Sequence, residues 1–598
     1  MNTKSVNYEA KKSLSNIKII KEERYTMKIV IIGGVAGGAT TATRLRRLNE
    51  DAQIIMIERG KHISFANCGL PYYIGDVIQE KQDLLLQTPE SFKERFSVDV
   101  RVCQEVIQIN RKEKKIVIRK LQNQENWKKD LKEDSKENLK KNPEEIYEET
   151  YDKLVIATGA EPINPYKNVE TDQIKTLRSV EDAVEIRKMI KERNLSHVTI
   201  IGGGYIGVEM AENLKHYQDI SIAIVEKAPH LIGSLDQDMA SFVQKKLQKN
   251  GIQLFLNNSV TEIQNNLIPK HSLTLYLENN QTIETDFVIL CIGVKPESSL
   301  AKECGLETNQ RGSILVNEFM QTNDNDIYAL GDAVAVTNYV TQEQAYIPLA
   351  GPANRQARVV ADHISNRQTT YQGTIGSSIL KVFDSNLGIT GINEQTCKTY
   401  NIPYKVMIIS PYSHATYYPG ATQMTIKALY EPQTGKILGA QIWGRDAVDK
   451  ITDILATAIK MHMTAYDLEE LELSYAPPFS SAKSPVNILG NAIENELHHL
   501  VETVTWQEVE KTENPYILDV RTEEEYEHSH LSNAILIPLD ELRQRLNELD
   551  KTKTILVHCH TGLRSYIACR ILSQNGFKCK NIMGGYYFYK NANLTPAK

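Results

Sequence analysis

The hydrophobic pattern changes period several times along the chain. Ile29–Ile32, after Lys28, is an unbroken apolar run closed by glycines, and an amphipathic stretch follows it to Leu48. A short apolar run ended by glycine reads as a strand buried on both faces, and the stretch after it as a helix. The same grammar returns at Val198–Leu214, VTIIGGGYIGVEMAENL. Gly33 and Gly202 are equivalent positions 169 residues apart, so the repeat predicts two βαβ units. From Gln372 to about Val486 the pattern becomes α+β. Strands are predicted at Ser378–Phe383, Thr422–Tyr430 and Ile437–Gly444, a helix at Ala447–Met461, then a Pro/Ser-rich loop, YAPPFSSAKSPVN. Residues 487–500 read as a short helix or linker. After Val501 the buried runs ILDVR, AILIPL and TILVHCH alternate with helical stretches, predicting a further α/β unit. Two segments carry no core pattern. Residues 1–26 are polar, and Met27 opens the first strand, so an N-terminal extension and an upstream start both fit. Leu121–Tyr151 is rich in Lys, Glu and Asn and predicts a solvated helix or a hairpin extension.

A length of 598 residues is enough for about four domains. The net charge of −6 argues against nucleic acid as the main partner, whose usual footprint is a basic stripe. Eight cysteines without a CxxC pair read as reduced thiols rather than a disulfide framework. No run reaches the roughly 18 to 20 apolar residues that span a bilayer. The expectation is a soluble cytoplasmic protein with no membrane partner.

The candidate chemistry begins in the glycine loops. Gly33-Gly34-Val35-Ala36-Gly37-Gly38 joins a strand to a helix, and Glu58 ends the next strand, 20 residues after Gly38. Glycines allow the tight turn, the helix N-terminus receives a pyrophosphate, and the carboxylate takes ribose hydroxyls. Val35 departs from GxGxxG. The second loop matches it fully at Gly202, Gly204 and Gly207, with Glu226 19 residues after Gly207. A carboxylate there favours NADH over NADPH, although Lys227 beside it softens the choice. LVIATGAEP, with Thr158 and Gly159, and IYALGDAV, with Asp332, complete an ordered set of four motifs.

This set resembles the two-dinucleotide-binding-domain flavoprotein disulfide reductases from about Met27 to Asn491. The resemblance implies an α/β fold with two Rossmann-like dinucleotide-binding domains, an α+β dimerisation domain and a homodimer. FAD would occupy the first βαβ unit, NAD(P)H the second, and Asp332 would contact the flavin ribityl. The implied boundaries are 27–175 with 295–371 for FAD, 176–294 for NAD(P)H, and 372–490 for dimerisation. Where glutathione reductase-type enzymes carry CxxxxC, SFANCGLPYY has Cys68 alone, so the second sulfur or oxygen must come from outside: CoA, a persulfide or peroxide. Cys68 works as a thiolate, which requires something to lower its pKa, a helix N-terminus or the flavin. The peroxidase and oxidase branch carries a histidine where Ala36 stands. GGVAGG with SFANCG resembles instead the CoA-disulfide reductase branch. That likeness implies two tyrosines, contributed by the neighbouring subunit, that handle the departing CoA thiolate. They map to Tyr417 (or Tyr418, one residue away) and Tyr475. It also implies CoA contacts at Arg47, Ser64 and Asn67, on and after a helix that carries Arg44, Arg46 and Arg47. A bidentate guanidinium suits the CoA phosphate.

LDVRTEEEYEHSHLSNAILIP, VHCHTGLRS and GGY resemble a rhodanese domain over residues 501–598. Cys559 opens a loop ending at Arg564, and the backbone N–H groups of such a loop converge on the sulfur. Cys-x4-Arg suits a sulfur atom, whereas the related phosphatases use Cys-x5-Arg. His558-Cys559-His560 is not read as a metal site, because strand neighbours point to opposite faces. The other six cysteines read as core or surface thiols. The two halves share persulfide chemistry. The expected activity is NAD(P)H-dependent reduction, through FAD and Cys68, of CoA persulfide, polysulfide or CoA disulfide. It is coupled to sulfane-sulfur transfer at Cys559. The alternatives are an NADH oxidase or peroxidase with an accessory rhodanese, and a rhodanese domain kept only for docking or sensing.

Overall fold

The computed structural model describes residues 26–121, 145–166, 169, 171–266 and 273–592. The predicted repeat is present as two five-stranded parallel sheets of matching order. In the first, Lys28–Ile32 lies between Gln53–Glu58 and Lys153–Ile156, with Asp99–Val102 and Ile327–Ala329 at the edges. In the second, His197–Ile201 lies between Ser221–Val225 and Phe287–Leu290, with Ile252–Phe255 and Ile174–Thr176 outside. Helices follow both central strands, Ala36–Leu48 and Tyr205–Leu214. The central strands are buried on both faces after their first residues, in keeping with their largely apolar sequences. Each sheet is accompanied by a three-stranded antiparallel one, and Ala160–Pro162 pairs with Val294–Pro296 between the units.

The charged segment expected as a helix or hairpin ends as a strand. Ile146–Thr150 pairs antiparallel with Lys115–Lys120, and Lys28 bonds Glu149. Residues 122–144 lie outside the described ones, as do 1–25.

Five antiparallel strands follow, in the order Ser378–Val382, Ser385–Gly391, Ile437–Gly444, Thr425–Tyr430, Lys405–Ile409. The predicted helix is Val448–Lys460, and residues 485–497 form a second helix rather than a linker. Thr425–Tyr430 and Ile437–Gly444 are buried at every position. The side chain of Lys427 is only 1% exposed, and its Nζ lies 2.8 Å from Asp238, 3.0 Å from Asp236 and 2.6 Å from Glu394. Asp238 belongs to helix Gln237–Lys249 of the second parallel unit.

The C-terminal unit is a parallel sheet, ordered Glu502–Val504, Lys578–Ile582, Thr554–His558, Tyr516–Asp519, Ala534–Leu536. It is docked, not tethered. Phe588 stacks 5.6 Å from Phe242, Gln507 donates to Asp238 at 3.2 Å, and Tyr566 donates to Asn495 at 3.0 Å. One continuous core joins this unit to the second parallel sheet and the antiparallel sheet.

Candidate active sites

The two glycine loops are built alike. Gly33 and Gly202 have φ of +101° and +106°, and a Cβ on either would overlap a facing backbone carbonyl, that of Ala157 or Cys291. Glycine is therefore required at both turns. Glu58 accepts the N–H groups of Gly34 (2.8 Å) and Gly60 (2.7 Å). Glu226 accepts those of Gly203 (2.6 Å) and Ala228 (2.7 Å). Each carboxylate thus braces its loop and retains lone pairs for a hydroxyl. Gly37 and Gly38 allow close packing against Leu330 and Gly33. Gly207 does the same against Gly202. Gly204 differs, because a Cβ there would meet nothing within 4 Å. Neither helix start carries a side-chain cap or an acidic residue in its first turn. Open space before an uncapped helix start suits a phosphate, so the second loop fits a dinucleotide. The first has the same frame, with Val35 in place of the open glycine.

Cys68 is exposed on the short turn Asn67–Gly69. Burial around the sulfur pushes its thiol up, Glu209 and Asp332 add to this, and Arg178 opposes them. The helix that follows, Leu70–Ile74, has five residues. Glu209 is itself pushed up to about 7 by burial, 3.5 Å from the Tyr72 hydroxyl.

Sequence reasoning missed Arg178, which gathers this region. Its Nη2 lies 3.3 Å from Asp332 and would lie 2.9 Å from a Cβ on Gly159. With the Asn67 amide turned to satisfy both its ends, Asn67 bonds Arg178 Nη1 at 3.1 Å. Thr158 donates to the Glu297 carbonyl at 2.6 Å. Ser64 takes a left-handed conformation, φ +46°, and its N–H reaches the Gly34 carbonyl, so the Cys68 segment is anchored to the first glycine loop. Of the three helix arginines, Arg44 pairs with Asp362 and Arg46 is buried against five backbone carbonyls, while Arg47 is exposed.

Tyr417 and Tyr475 meet, hydroxyl to hydroxyl, at 2.6 Å. They are 74% and 44% exposed on the chain. Tyr418 packs edge-on to His414 instead. The hydrogen bond to Tyr475 pushes the Tyr417 pKa up, holding its proton.

Cys559 is 1% exposed at the end of strand Thr554–His558. Its Sγ accepts the Gly562 N–H at 3.1 Å and the Ser565 hydroxyl at 3.4 Å. Gly562, φ +109°, starts helix Leu563–Gln574. Gly585 has no room for a side chain against the carbonyls of Cys559 and His560, and the Tyr586 N–H donates to the Cys559 carbonyl at 2.8 Å. Arg564 forms a fork on Glu525, both contacts 2.7 Å, and that guanidinium holds the Glu525 carboxyl down at about 2. His558 is buried 3.6 Å from Asp519 and is pushed down to about 4 by burial, whereas His560 lies against Tyr587.

Comparison with known proteins agrees in extent with these units. Residues 27–357 match the family described as pyridine nucleotide-disulphide oxidoreductase, 377–485 its dimerisation domain, and 501–592 the rhodanese-like domain. The crystal structure of reduced Bacillus anthracis CoADR-RHD is 45% identical, with a TM-score of 0.87 over 95% of this chain and 98% of that one. A NAD-dependent persulfide reductase from A. fulgidus is 35% identical, with a TM-score of 0.85 over 94% and 100%. A coenzyme A disulfide reductase of Staphylococcus haemolyticus is 31% identical over 77% of this chain and 98% of its own length. The chain belongs to the pyridine nucleotide-disulphide oxidoreductases, with a rhodanese-like domain at its C-terminal end.

Proposed function

We propose that this chain is an NADH-dependent flavoprotein that reduces CoA persulfide, polysulfide or CoA disulfide at Cys68 and carries sulfane sulfur on Cys559. The observation that carries the reading is the pair of single-cysteine sites in one packed chain. Cys68 is exposed and anchored to the first glycine loop, and Cys559 sits in a loop that donates to its sulfur. Support comes from the two relatives spanning nearly the whole chain, whose names concern CoA disulfide and persulfide reduction. When bound, FAD and NADH supply the two electrons that the protein side chains cannot. Glu58 and Glu226 would hold the ribose hydroxyls, and the helix start at Gly204 the NADH pyrophosphate; Asp332, Thr158 and Gly159 lie where FAD would be held.

The chain's own residues then do the following. Arg564 and the Gly562 N–H stabilise negative charge on the Cys559 sulfur or its persulfide. The Cys68 thiolate attacks the CoA-bound sulfur of CoA persulfide, forming a Cys68–CoA disulfide and releasing hydrosulfide. With CoA disulfide the leaving group is CoA thiolate. Two electrons later break the Cys68–CoA bond, and Tyr417 protonates the CoA thiolate, the phenolate it leaves accepting the Tyr475 hydroxyl beside it. Both tyrosines are exposed on the chain, so we assign them to the partner's Cys68 in a homodimer. Arg47, Ser64 and Asn67 are assigned to CoA. No described helix is long and apolar enough to cross a membrane, and a cytoplasmic location is part of the proposal.

A Methanocaldococcus jannaschii relative, 32% identical, is named an NADH oxidase. Ala36 carries no acid–base group, which disfavours peroxide or oxygen chemistry here. The test is NADH consumption under anaerobic conditions. Rapid turnover with CoA persulfide or CoA disulfide and slow turnover with peroxide supports the proposal; the reverse order overturns it.

A further inference from the structure

Two thiols outside the mechanism sit side by side beneath the Cys559 loop. Strand Lys578–Ile582 and helix Leu563–Gln574 pack together in the C-terminal unit. Cys579 Sγ donates to the Cys569 backbone carbonyl at 3.4 Å. The proximity of each thiol to the other pulls the Cys579 pKa down and pushes that of Cys569 up. Cys569 is buried in the same core as Cys559, and Cys579 is half-buried at its margin.

The surrounding geometry ties this pair to the sulfur site. Ser565 and Cys569 are four residues apart on one helix face, so both face the sheet. Ser565 bonds Cys559 Sγ, and Gly562, at the head of the same helix, supplies the N–H at 3.1 Å. On the strand, Cys579 and Asn581 share a face. Asn581 donates to the Gly562 carbonyl at 3.4 Å. Thus the helix and strand that carry the dithiol also hold the groups that touch the Cys559 sulfur. A bond between them would draw the helix and strand together and shift the Gly562 and Ser565 donors.

We propose that Cys569 and Cys579 form a reversible disulfide that lowers sulfur transfer at Cys559 when low-molecular-weight disulfide accumulates. The oxidant is an organic disulfide, RS–SR. Cys579 thiolate attacks it, forming Cys579–S–SR and releasing RS⁻, which takes up the Cys579 proton. Cys569 then loses its proton and attacks Cys579 Sγ. The Cys569–Cys579 bond forms, the Cys579–SR bond breaks, and the second RS⁻ leaves with that proton. Two protein thiols are oxidised and one disulfide is reduced to two thiols. Excess free thiol runs the sequence backwards. The effect on rate rests on the assignment of Cys559 as the sulfur carrier; the dithiol chemistry itself does not.

The experiment uses the full-length protein titrated with glutathione disulfide and then quenched by alkylation. Peptide mapping should show Cys569 linked to Cys579, with the mass of two hydrogens lost and neither cysteine alkylated. Thiosulfate sulfurtransferase activity should fall about tenfold, the effect of losing roughly one hydrogen bond to a charged sulfur. Dithiothreitol should restore it. Cys579→Ser and Cys569→Ala should each keep full activity through the titration. Absence of the crosslinked peptide overturns the proposal, and mapping on the unmutated protein reads this whether or not the variants fold. Equal loss of activity in Cys579→Ser also overturns it, because the oxidant would then be acting at Cys559 itself. If the reduced protein transfers no sulfur at all, the reading of Cys559 fails, while the crosslink and the alkylation rate of Cys559 still report the latch.

Discussion

Two glycines three residues apart in the second loop should respond oppositely to one added methyl. Gly204 has φ −75°, a conformation alanine adopts freely, and its Cβ would meet nothing within 4 Å. Gly204→Ala should therefore leave stability within about 0.5 kcal/mol of the parent. The new methyl would occupy space at the helix start where a pyrophosphate is expected, and the phosphate would lose close approach to the backbone N–H groups. Losing one charge-assisted hydrogen bond costs roughly 1.5–3 kcal/mol, so KM for NADH should rise by about 10- to 100-fold. Gly207 is different. Its Cβ would lie 2.1 Å from the Gly202 carbonyl oxygen, so helix Tyr205–Leu214 would have to move away from the strand before it. Such overpacking costs about 1–3 kcal/mol, and Gly207→Ala should lose thermal stability as well as affinity. The assays are circular-dichroism melting and NADH steady-state kinetics. An unchanged KM in Gly204→Ala would refute the placement of the nucleotide at this loop. An unchanged melt in Gly207→Ala would refute the packing argument.

Other predictions follow from the polar clusters. Lys427→Met removes the ammonium from among Asp236, Asp238 and Glu394; uncompensated buried carboxylates should cost about 3–5 kcal/mol, read as limited proteolysis roughly a hundredfold to several thousandfold faster at fixed temperature. Proteolysis at the parental rate would show that the cluster does not hold the three units together. Tyr417→Phe and Tyr475→Phe should each lower kcat for CoA disulfide by about 10²- to 10⁴-fold, and Tyr418→Phe should not. Equal effects of Tyr417→Phe and Tyr418→Phe would remove the register assignment. Glu525 is held down at about 2 against an ordinary 4.5, so its ion pair with Arg564 stabilises the fold above pH 4.5 and is lost as pH falls towards 2. Because the pair is about one-third exposed, solvent screening limits the effect to about 1 kcal/mol. Glu525→Gln should thus narrow the stability difference between pH 7 and pH 3, measured by urea unfolding; an undiminished difference would show that other groups control it.

The features legible in sequence are those a local rule enforces. Gly33 and Gly202 had to be glycine because each turn brings the backbone against a carbonyl, and the strands before them are largely apolar because both faces are covered. Cys68 and Cys559 were recognisable because their loops are contiguous. Arg178 was not, since Asn67, Gly159 and Asp332 converge on it from distant segments and no spacing marks it. Lys427 reads in TIKALY as an outward-facing strand residue. It is buried where helix Gln237–Lys249 and its N-cap residue bring Asp238 and Asp236 to that face. Tyr417 and Tyr418 lie in an irregular loop without periodicity, and the proposed choice of Tyr417 rests on its 2.6 Å contact to Tyr475. The Cys569–Cys579 contact joins a helix to a strand ten residues on, where sequence spacing alone does not indicate contact.

The central claim is that Cys68 exchanges disulfides with CoA and is restored by NADH. The most direct measurement is the intact mass and peptide map of protein treated with CoA disulfide, before and after anaerobic addition of NADH. The account predicts one CoA adduct on Cys68 that NADH releases, absent in Cys68→Ser and retained in Cys559→Ser. No adduct at Cys68, or one that NADH leaves in place, would contradict it.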